Sequence, residues 1–166
     1  MDQEVLHDLK AEISRLLESN QTADALPLLK QAANWGDLES QKTLMAMFLE
    51  KERGVGYDPK SGYEYARLGA MNGDPKAMYV VAMMNRDGVG CPKNMEQAFY
   101  FMKKAAQAKY PLAYDGLAML YLNGKGVAKD PLAALDWIRK AKESLDWTPA
   151  LEKHARLVEK TVERMK

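Results

Sequence analysis

Residues 113–141 read AYDGLAMLYLNGKGVAKDPLAALDWIRKA, two apolar segments joined by a glycine-rich turn. The apolar residues of the first segment recur at helical spacing up to Gly124, which predicts an α-helix. Glycine readily adopts the left-handed backbone conformation that ends many helices, so Gly124 and Gly126 predict a helix stop. Asp130 followed by Pro131 is a typical helix start, because the carboxylate caps free N–H groups and proline lacks one. The stretch therefore predicts two helices joined by a tight turn.

The same pattern recurs upstream at a step of 36 residues. The corresponding positions are Gly54, Gly90 and Gly126 in the turns, Asp58, Asn94 and Asp130 at the helix starts, and Tyr65, Phe101 and Trp137 in the second helices. Repetition at a period of roughly 20 to 50 residues is typical of stacked repeat proteins. Because such arrays mostly present a surface to a partner, the repeat favours binding over catalysis.

Less regular segments flank the three repeats. The first repeat aligns with the second at a step of 37, so one extra residue lies in its first helix or in its turn. Before it, amphipathic helices are predicted over about 2–19 and 22–35. At the other end, Thr148 and Pro149 start a last helix whose outer face is rich in Glu, Lys and Arg. Such a polar face is required of the cap of a repeat array.

These elements predict an all-α fold of antiparallel helix pairs, with about nine helices and a capping helix at each end. The chain is interpreted as a single repeat domain over residues 1–166. Its predicted divisions are a degenerate first unit at 1–36, three repeats at 37–73, 74–109 and 110–145, and a C-terminal capping helix at 146–166.

Composition limits the functions open to this chain. Its 166 residues include 24 Lys and Arg against 23 Asp and Glu, so no bulk charge attracts nucleic acid. No apolar stretch has the length of a membrane span, and the first residues lack the pattern of a signal peptide. The only cysteine, Cys91, has no internal disulfide partner, which is typical of a reducing compartment. We therefore expect a cytoplasmic protein without membrane insertion.

The repeated residues resemble those of the Sel-one-like repeat (SLR) family, relatives of the tetratricopeptide repeats. The family pattern, A-x-x-x-L-G-x-x-Y-x-x-G-x-G-V-x-x-D and then x-x-x-A-x-x-W/Y, is matched best by the third repeat. The matching residues are Ala113, Leu117, Ala118, Tyr121, Gly124, Gly126, Val127, Asp130, Ala134, Trp137 and Ala141. The resemblance implies a right-handed α-α superhelix, or solenoid, that serves as an adaptor or scaffold for other proteins, with many bacterial members.

The chain departs from the family pattern at two positions and in its cysteines. Glu52 stands where the first turn glycine of repeat one is expected, and Asn85, in repeat two, stands where the family pattern has an aromatic residue. A polar residue at the second position predicts a packing gap or a groove. Some secreted relatives carry a disulfide in every repeat and are linked to binding of penicillin-like compounds. The cysteine pairs of that branch are absent from this sequence.

The first helices of the repeats are expected to line a concave groove, as they do in the related repeats. Residues between the packing positions would then point into it, giving apolar centres with charged edges, which is typical of peptide-binding grooves. The predicted partner-binding residues are Lys42, Ala46, Leu49, Lys76, Tyr79, Met83, Arg86, Asp115, Met119 and Leu122. The alternative interpretation is that these residues are solvated helix faces.

The sequence offers little for catalysis, metal or nucleotide binding. His7 and His154 are far apart, without cysteines or clustered carboxylates at ligand spacing, and both are interpreted as surface residues. The Gly-x-Gly turns follow helices and lack the Gly-Lys-Ser/Thr ending of a phosphate loop. No residue at a recognisable offset activates Cys91. No catalytic residue, metal or cofactor is therefore predicted.

The leading hypothesis is a non-enzymatic adaptor that binds a peptide or partner helix, as a monomer or small oligomer. An immunity or inhibitor protein that blocks a bacterial effector is the first alternative, because it would present the same kind of surface. A hydrolase or small-ligand binder of the penicillin-binding type is the second. It requires a nucleophile and a base that converge in one pocket.

Overall fold

The computed structural model describes residues 3–50, 55–144 and 148–165. These residues form nine α-helices and no β-strand, which confirms the predicted all-α class. In chain order the helices are α1 (Gln3–Glu18), α2 (Thr22–Asn34), α3 (Leu38–Leu49), α4 (Pro59–Met71), α5 (Pro75–Asp87), α6 (Met95–Gln107), α7 (Leu112–Asn123), α8 (Pro131–Ser144) and α9 (Pro149–Glu163). Glu52 and Gly54, for which the sequence predicts turn positions of the first repeat, lie outside the described residues.

The helices belong to two compact units. The N-terminal unit, Met1–Ala77 with Val89–Cys91, contains α1 to α4 and the start of α5. The C-terminal unit, Met78–Gly88 with Pro92–Lys166, contains the rest of α5 and α6 to α9. In the N-terminal unit α1 packs against α2, α2 against α3 and α3 against α4, and in the C-terminal unit α7 packs against α6, α8 and α9 while α8 packs against α9.

The repeated Asp or Asn begins the second helix of each repeat. A side-chain oxygen of Asp58, Asn94 and Asp130 accepts hydrogen bonds of 2.9 to 3.2 Å from backbone N–H groups two or three residues ahead. These bonds satisfy donors that have no partner within the helix, and each such cap stabilises a helix by about 1 kcal/mol. The predicted helix starts are therefore confirmed at all three repeats.

The same three cap residues also connect the helices of each repeat. Each donates its own backbone N–H to a carbonyl oxygen near the end of the preceding helix. The acceptors are the carbonyls of Phe48, Asn85 and Tyr121, at 3.0, 2.8 and 2.9 Å. The bond spans nine residues in the second and third repeats and ten in the first. The extra residue of the first repeat therefore lies between Phe48 and Asp58.

The glycines of the turns have the left-handed conformation that the sequence predicts. In the third repeat φ is 64° at Gly124 and 72° at Gly126, and in the second it is 72° at Gly88 and 70° at Gly90. Gly124 is the C-cap of α7. The helix-stop interpretation of the Gly-x-Gly turns is thus confirmed, since residues with a Cβ adopt this conformation only under strain.

Small side chains occupy the positions where helices approach closely. The repeated alanines Ala77, Ala82, Ala98, Ala113, Ala118 and Ala134 are all 0% exposed. Gly62 takes this role in the first repeat, because a Cβ at Gly62 would collide with the side chain of Leu49. Asn85 is also buried, at 2% exposure, and its Nδ2 donates to the carbonyl of Val81 at 2.9 Å. Of the two expectations for Asn85, a packing gap or a groove, the groove is wrong because the side chain is buried.

An ion pair in the N-terminal unit joins the first helix to the start of the third. Lys10 Nζ lies 2.7 Å from Asp37 Oδ1, and Asp37 also caps α3 by accepting hydrogen bonds from the backbone N–H and the hydroxyl of Ser40. Burial opposes ionisation of Asp37. The hydrogen bonds from Lys10 and Ser40 outweigh it and hold the pKa of the carboxyl below its usual value of 3.8.

We expect the Asp37→Asn variant to lose about 1 kcal/mol of folding stability near neutral pH. Asparagine retains a capping oxygen but removes the charge that pairs with Lys10. A carboxyl with a lowered folded pKa contributes stability above its unfolded pKa, and this contribution is lost as the pH falls through the folded value. Urea unfolding should therefore show a gap between wild type and variant at neutral pH that closes in acid. A gap that persists unchanged below about pH 3 would contradict the ion-pair explanation.

Candidate functional site

A cavity of about 370 Å³ opens on the C-terminal unit, and it combines an apolar floor with a charged rim. The end of α5, the start of α6, the length of α7 and the middle of α9 all contribute to its wall. We call it the α7 pocket, since α7 contributes more of its residues than any other helix. The residues that line it are Arg86, Asp87, Lys93, Met95, Ala98, Met102, Asp115, Gly116, Met119, Leu120, Asn123, Lys125 and His154.

The floor of the α7 pocket is formed largely by methionines. Met95 and Met102 come from α6, and Met119 comes from α7. Met102 is 1% exposed, and Gly116 makes room for its thioether, because a Cβ there would lie 2.9 Å from Met102 Cε. Methionine side chains are flexible and polarisable, so a floor of this kind adapts to different apolar groups.

Two residues at the end of α5 form an ion pair on the rim. Arg86 donates from Nε to one carboxylate oxygen of Asp87 at 2.7 Å and from Nη2 to the other at 2.8 Å. The hydrogen bonds from Arg86 hold the pKa of Asp87 below its usual value, and the bonded carboxylate raises the pKa of Arg86. Both groups therefore stay charged at neutral pH and engage each other.

A second polar pair crosses the pocket from α7 to α9. His154 Nδ1 lies 2.9 Å from Asp115 Oδ1 and 2.8 Å from Oδ2. An ionised carboxylate only accepts hydrogen bonds, so Nδ1 carries the hydrogen in this pair. The prediction that His154 is an ordinary surface residue is wrong. Its ring is half-buried and pairs with Asp115, which lies 39 residues away in the sequence. His7 is exposed on α1.

Three of the predicted partner-binding residues come together in the α7 pocket: Arg86, Asp115 and Met119. Two others, Tyr79 and Met83, pack against the apolar core of the same unit. The Tyr79 ring lies 5.3 Å from that of Tyr110, and burial raises the pKa of its phenol.

The remaining predicted residues lie elsewhere. Leu122 is 4% exposed within the core, so its selection as a groove residue was wrong. Lys42, Ala46 and Leu49 lie on α3 in the N-terminal unit. Lys42 pairs with Glu39 at 2.9 Å, while the half-buried Leu49 packs against Gly62. Lys76 is exposed at the start of α5.

Sequence reasoning missed the second-helix side of the pocket and its two lysines. The groove prediction did not sample the second helices or the turns, whereas Met95 and Met102 lie on α6 and the lysines lie in turns, Lys93 before α6 and Lys125 after α7. A signal existed at Gly116, a glycine in the middle of a predicted helix with no role as a cap. Such a glycine indicates close approach by another group, which here is the thioether of Met102.

The α7 pocket is suited to binding. Its described lining contains no Ser, Thr or Cys, so no hydroxyl or thiol of these residue types lines the pocket beside the Asp115–His154 pair. Across residues 3–50, 55–144 and 148–165, no three or more His, Cys, Asp or Glu residues are grouped to hold a metal ion. Cys91 is half-buried in the N-terminal unit, and burial raises the pKa of its thiol. A raised thiol pKa leaves less reactive thiolate at neutral pH.

None of the helices in the described part of the chain has both the length and the apolar character needed to cross a membrane.

Comparison with known sequences identifies the repeats. The sequence model of the Sel1 repeat matches residues 43–74, 75–110 and 111–144. An uncharacterized protein of Neisseria meningitidis is 27% identical over 142 residues, which is 86% of this chain and 29% of the relative. A chitin synthase regulator of Saccharomyces cerevisiae is 29% identical over 124 residues, 74% of this chain and 18% of the relative. The chain thus spans less than a third of either relative's length.

Two solved structures with similar folds are described as a Sel1 repeat protein and as a protein with an SLR fold. A Sel1 repeat protein from Oxalobacter formigenes has a TM-score of 0.66 and 29% identity, covering 79% of this chain and 96% of its own. A protective antigen of uropathogenic Escherichia coli with an SLR fold has a TM-score of 0.68 and 23% identity, covering 74% of this chain and 26% of its own. At that identity the second similarity shows the fold alone.

Proposed function

The chain belongs to the Sel1 repeat family, and we propose that it is a protein-binding adaptor that holds a segment of its partner in the α7 pocket. Proteins of this family generally serve as modules for protein interaction and as non-catalytic scaffolds. One relative is named as a regulator of another protein, chitin synthase. We propose the same general mode of action here, with a different and unidentified partner, in the cytoplasm.

The observation that carries this proposal is the combination of surfaces in the α7 pocket. An apolar floor of Met95, Met102 and Met119 lies within a rim of charged groups. Protein interfaces commonly have this arrangement, in which an apolar centre provides affinity and a polar rim provides specificity. The thioethers adapt to the shape of the incoming side chain. The geometry therefore favours an apolar anchor residue on the partner.

We expect the Met119→Gln variant to bind the partner about tenfold more weakly than wild type, because glutamine has nearly the same length but loses the apolar contact. The tagged chain would first capture partners from its native organism, identified by mass spectrometry. Each captured protein would then be purified and titrated against wild type and variant by isothermal calorimetry.

Met71→Gln is the matched control for this substitution. Met71 lies at the end of α4, is 72% exposed and does not line the pocket. Circular dichroism would verify that both variants remain folded. Equal affinity of wild type, Met119→Gln and Met71→Gln for a purified partner would contradict binding in the α7 pocket.

A further inference from the structure

The two carboxylates on the rim of the α7 pocket are already engaged by neighbouring side chains. Both oxygens of Asp87 accept hydrogen bonds from Arg86. Both oxygens of Asp115 lie within 2.9 Å of His154 Nδ1. A basic group on a partner would therefore have to compete with an existing charged or polar contact at either carboxylate.

Two lysines on the same rim are not engaged in this way. Lys93 precedes α6, Lys125 follows α7, and both side chains are exposed. Within the described parts of the chain, neither forms an ion pair, although the charge of Lys93 assists the hydrogen bonds from Arg86 in lowering the pKa of Asp87. Counting Arg86, the rim carries three basic groups against two carboxylates. The polar groups of the rim that can still bind a partner are therefore mostly hydrogen-bond donors suited to anions.

The charges are also distributed unevenly along α7. Asp115 lies in the first turn of this helix, whereas Asn123 is its last residue and Lys125 follows shortly after. Asn123 follows Asp115 at a step of eight residues, a distance of about 12 Å along the helix axis. Met119 lies halfway between them. The pocket thus has a histidine–carboxylate pair at one end, an apolar middle and, at the other end, exposed lysines that form no ion pair within the described residues.

We infer, on the basis of the proposed function, that the α7 pocket receives an acidic segment of the partner protein. A large apolar side chain of that segment lies on Met119 and Met95, and Asp or Glu residues beside it contact Lys93 and Lys125. Charge complementarity of this kind selects among partners and accelerates their encounter. At the other end of the pocket, His154 is already paired with Asp115 and does not attract the acidic residues of the segment. The acidic residues therefore lie at the lysine end, which fixes the direction of the segment.

The test selects random phage-displayed peptides on the full chain and, in parallel, on the Lys93→Glu/Lys125→Glu double variant. Both lysines are exposed, so the double substitution leaves the core untouched. The control is Lys129→Glu/Lys160→Glu, which changes the net charge equally at two exposed lysines outside the pocket. We expect wild type and control to enrich peptides with Asp or Glu beside Leu, Met or Phe. Binding of a selected peptide should weaken about tenfold or more in the pocket variant, and in wild type it should weaken with added salt.

Two outcomes separate this inference from the proposed function. In the first, the selected peptides are neutral or basic, and their binding depends on Met119 but not on the two lysines. This result would overturn the inference that the partner segment is acidic, and it would leave the proposal of binding in the α7 pocket intact. Failure to enrich any peptide whose binding depends on Met119 would overturn both proposals. Analytical sedimentation of the chain without peptide tests for self-association. A dimer that is lost in the Lys93→Glu/Lys125→Glu variant would show that the pocket binds a second copy of the chain, and this result would overturn the inference.

Discussion

Replacement of Gly126 by alanine is expected to destabilise the C-terminal unit by about 3 kcal/mol or more. The residue has a φ of 72°, where a Cβ is strained. A Cβ would also collide with the carbonyl oxygen of Met95 and lie 2.5 Å from its carbon and 3.0 Å from Glu96 N. These are backbone atoms at the start of α6, so relief requires that the whole helix end shift.

Gly73→Ala is the control that separates strain from collision. Gly73 has a φ of 91°, but a Cβ there would meet nothing within 4 Å. Its replacement should cost only the strain, about 1 kcal/mol. Urea unfolding of both variants, followed by circular dichroism, measures the two losses. Equal losses would show that the turn can move away from α6 without cost.

Truncation of Leu117 to alanine is expected to lower the free energy of unfolding by about 3 kcal/mol. Leu117 is 0% exposed at the centre of α7, within the apolar core of the C-terminal unit. The substitution removes three buried carbon atoms and leaves a cavity that rigid neighbours cannot fill. The same helix carries Asp115 and Met119 of the α7 pocket. We therefore expect the substitution to make the positions of these two pocket residues less well defined.

Leu112→Ala, on the same helix, is the matched control. Leu112 is 48% exposed, so the same chemical change there should alter stability by about 0.5 kcal/mol or less. Denaturant unfolding of the two variants gives the comparison directly. A loss for Leu117→Ala no larger than that for Leu112→Ala would contradict the assignment of Leu117 to the core.

The helix boundaries were predictable because the interactions that set them are local. Asp130 caps α8 through N–H groups two and three residues ahead, and Gly124 ends α7 through its own backbone conformation. The buried alanines were predictable for a related reason. Helical periodicity defines which face of a segment is apolar, whatever that face later contacts.

The binding surface was less predictable, because the sequence leaves open how far each helix is rotated about its axis. Leu122 was assigned to the groove from its register, yet rotation of α7 buries it in the core. Arg86, Asp115 and Met119 were correctly placed on first helices, and the fold then brought them into one pocket. The pairing of Asp115 with His154 spans 39 residues and depends on how α9 packs on α7, which no local pattern records.

The repeated sequence by itself determined that this chain is an all-α protein of the Sel1 family, where its helices start and stop, and which small residues lie between them. Those features depend on hydrogen bonds between residues a few positions apart and on the period of the α-helix. Only the tertiary structure decided that four helices of the C-terminal unit form a methionine-lined pocket with two exposed lysines on its rim. That arrangement results from packing between residues distant in sequence, and packing follows from the shapes of whole helices.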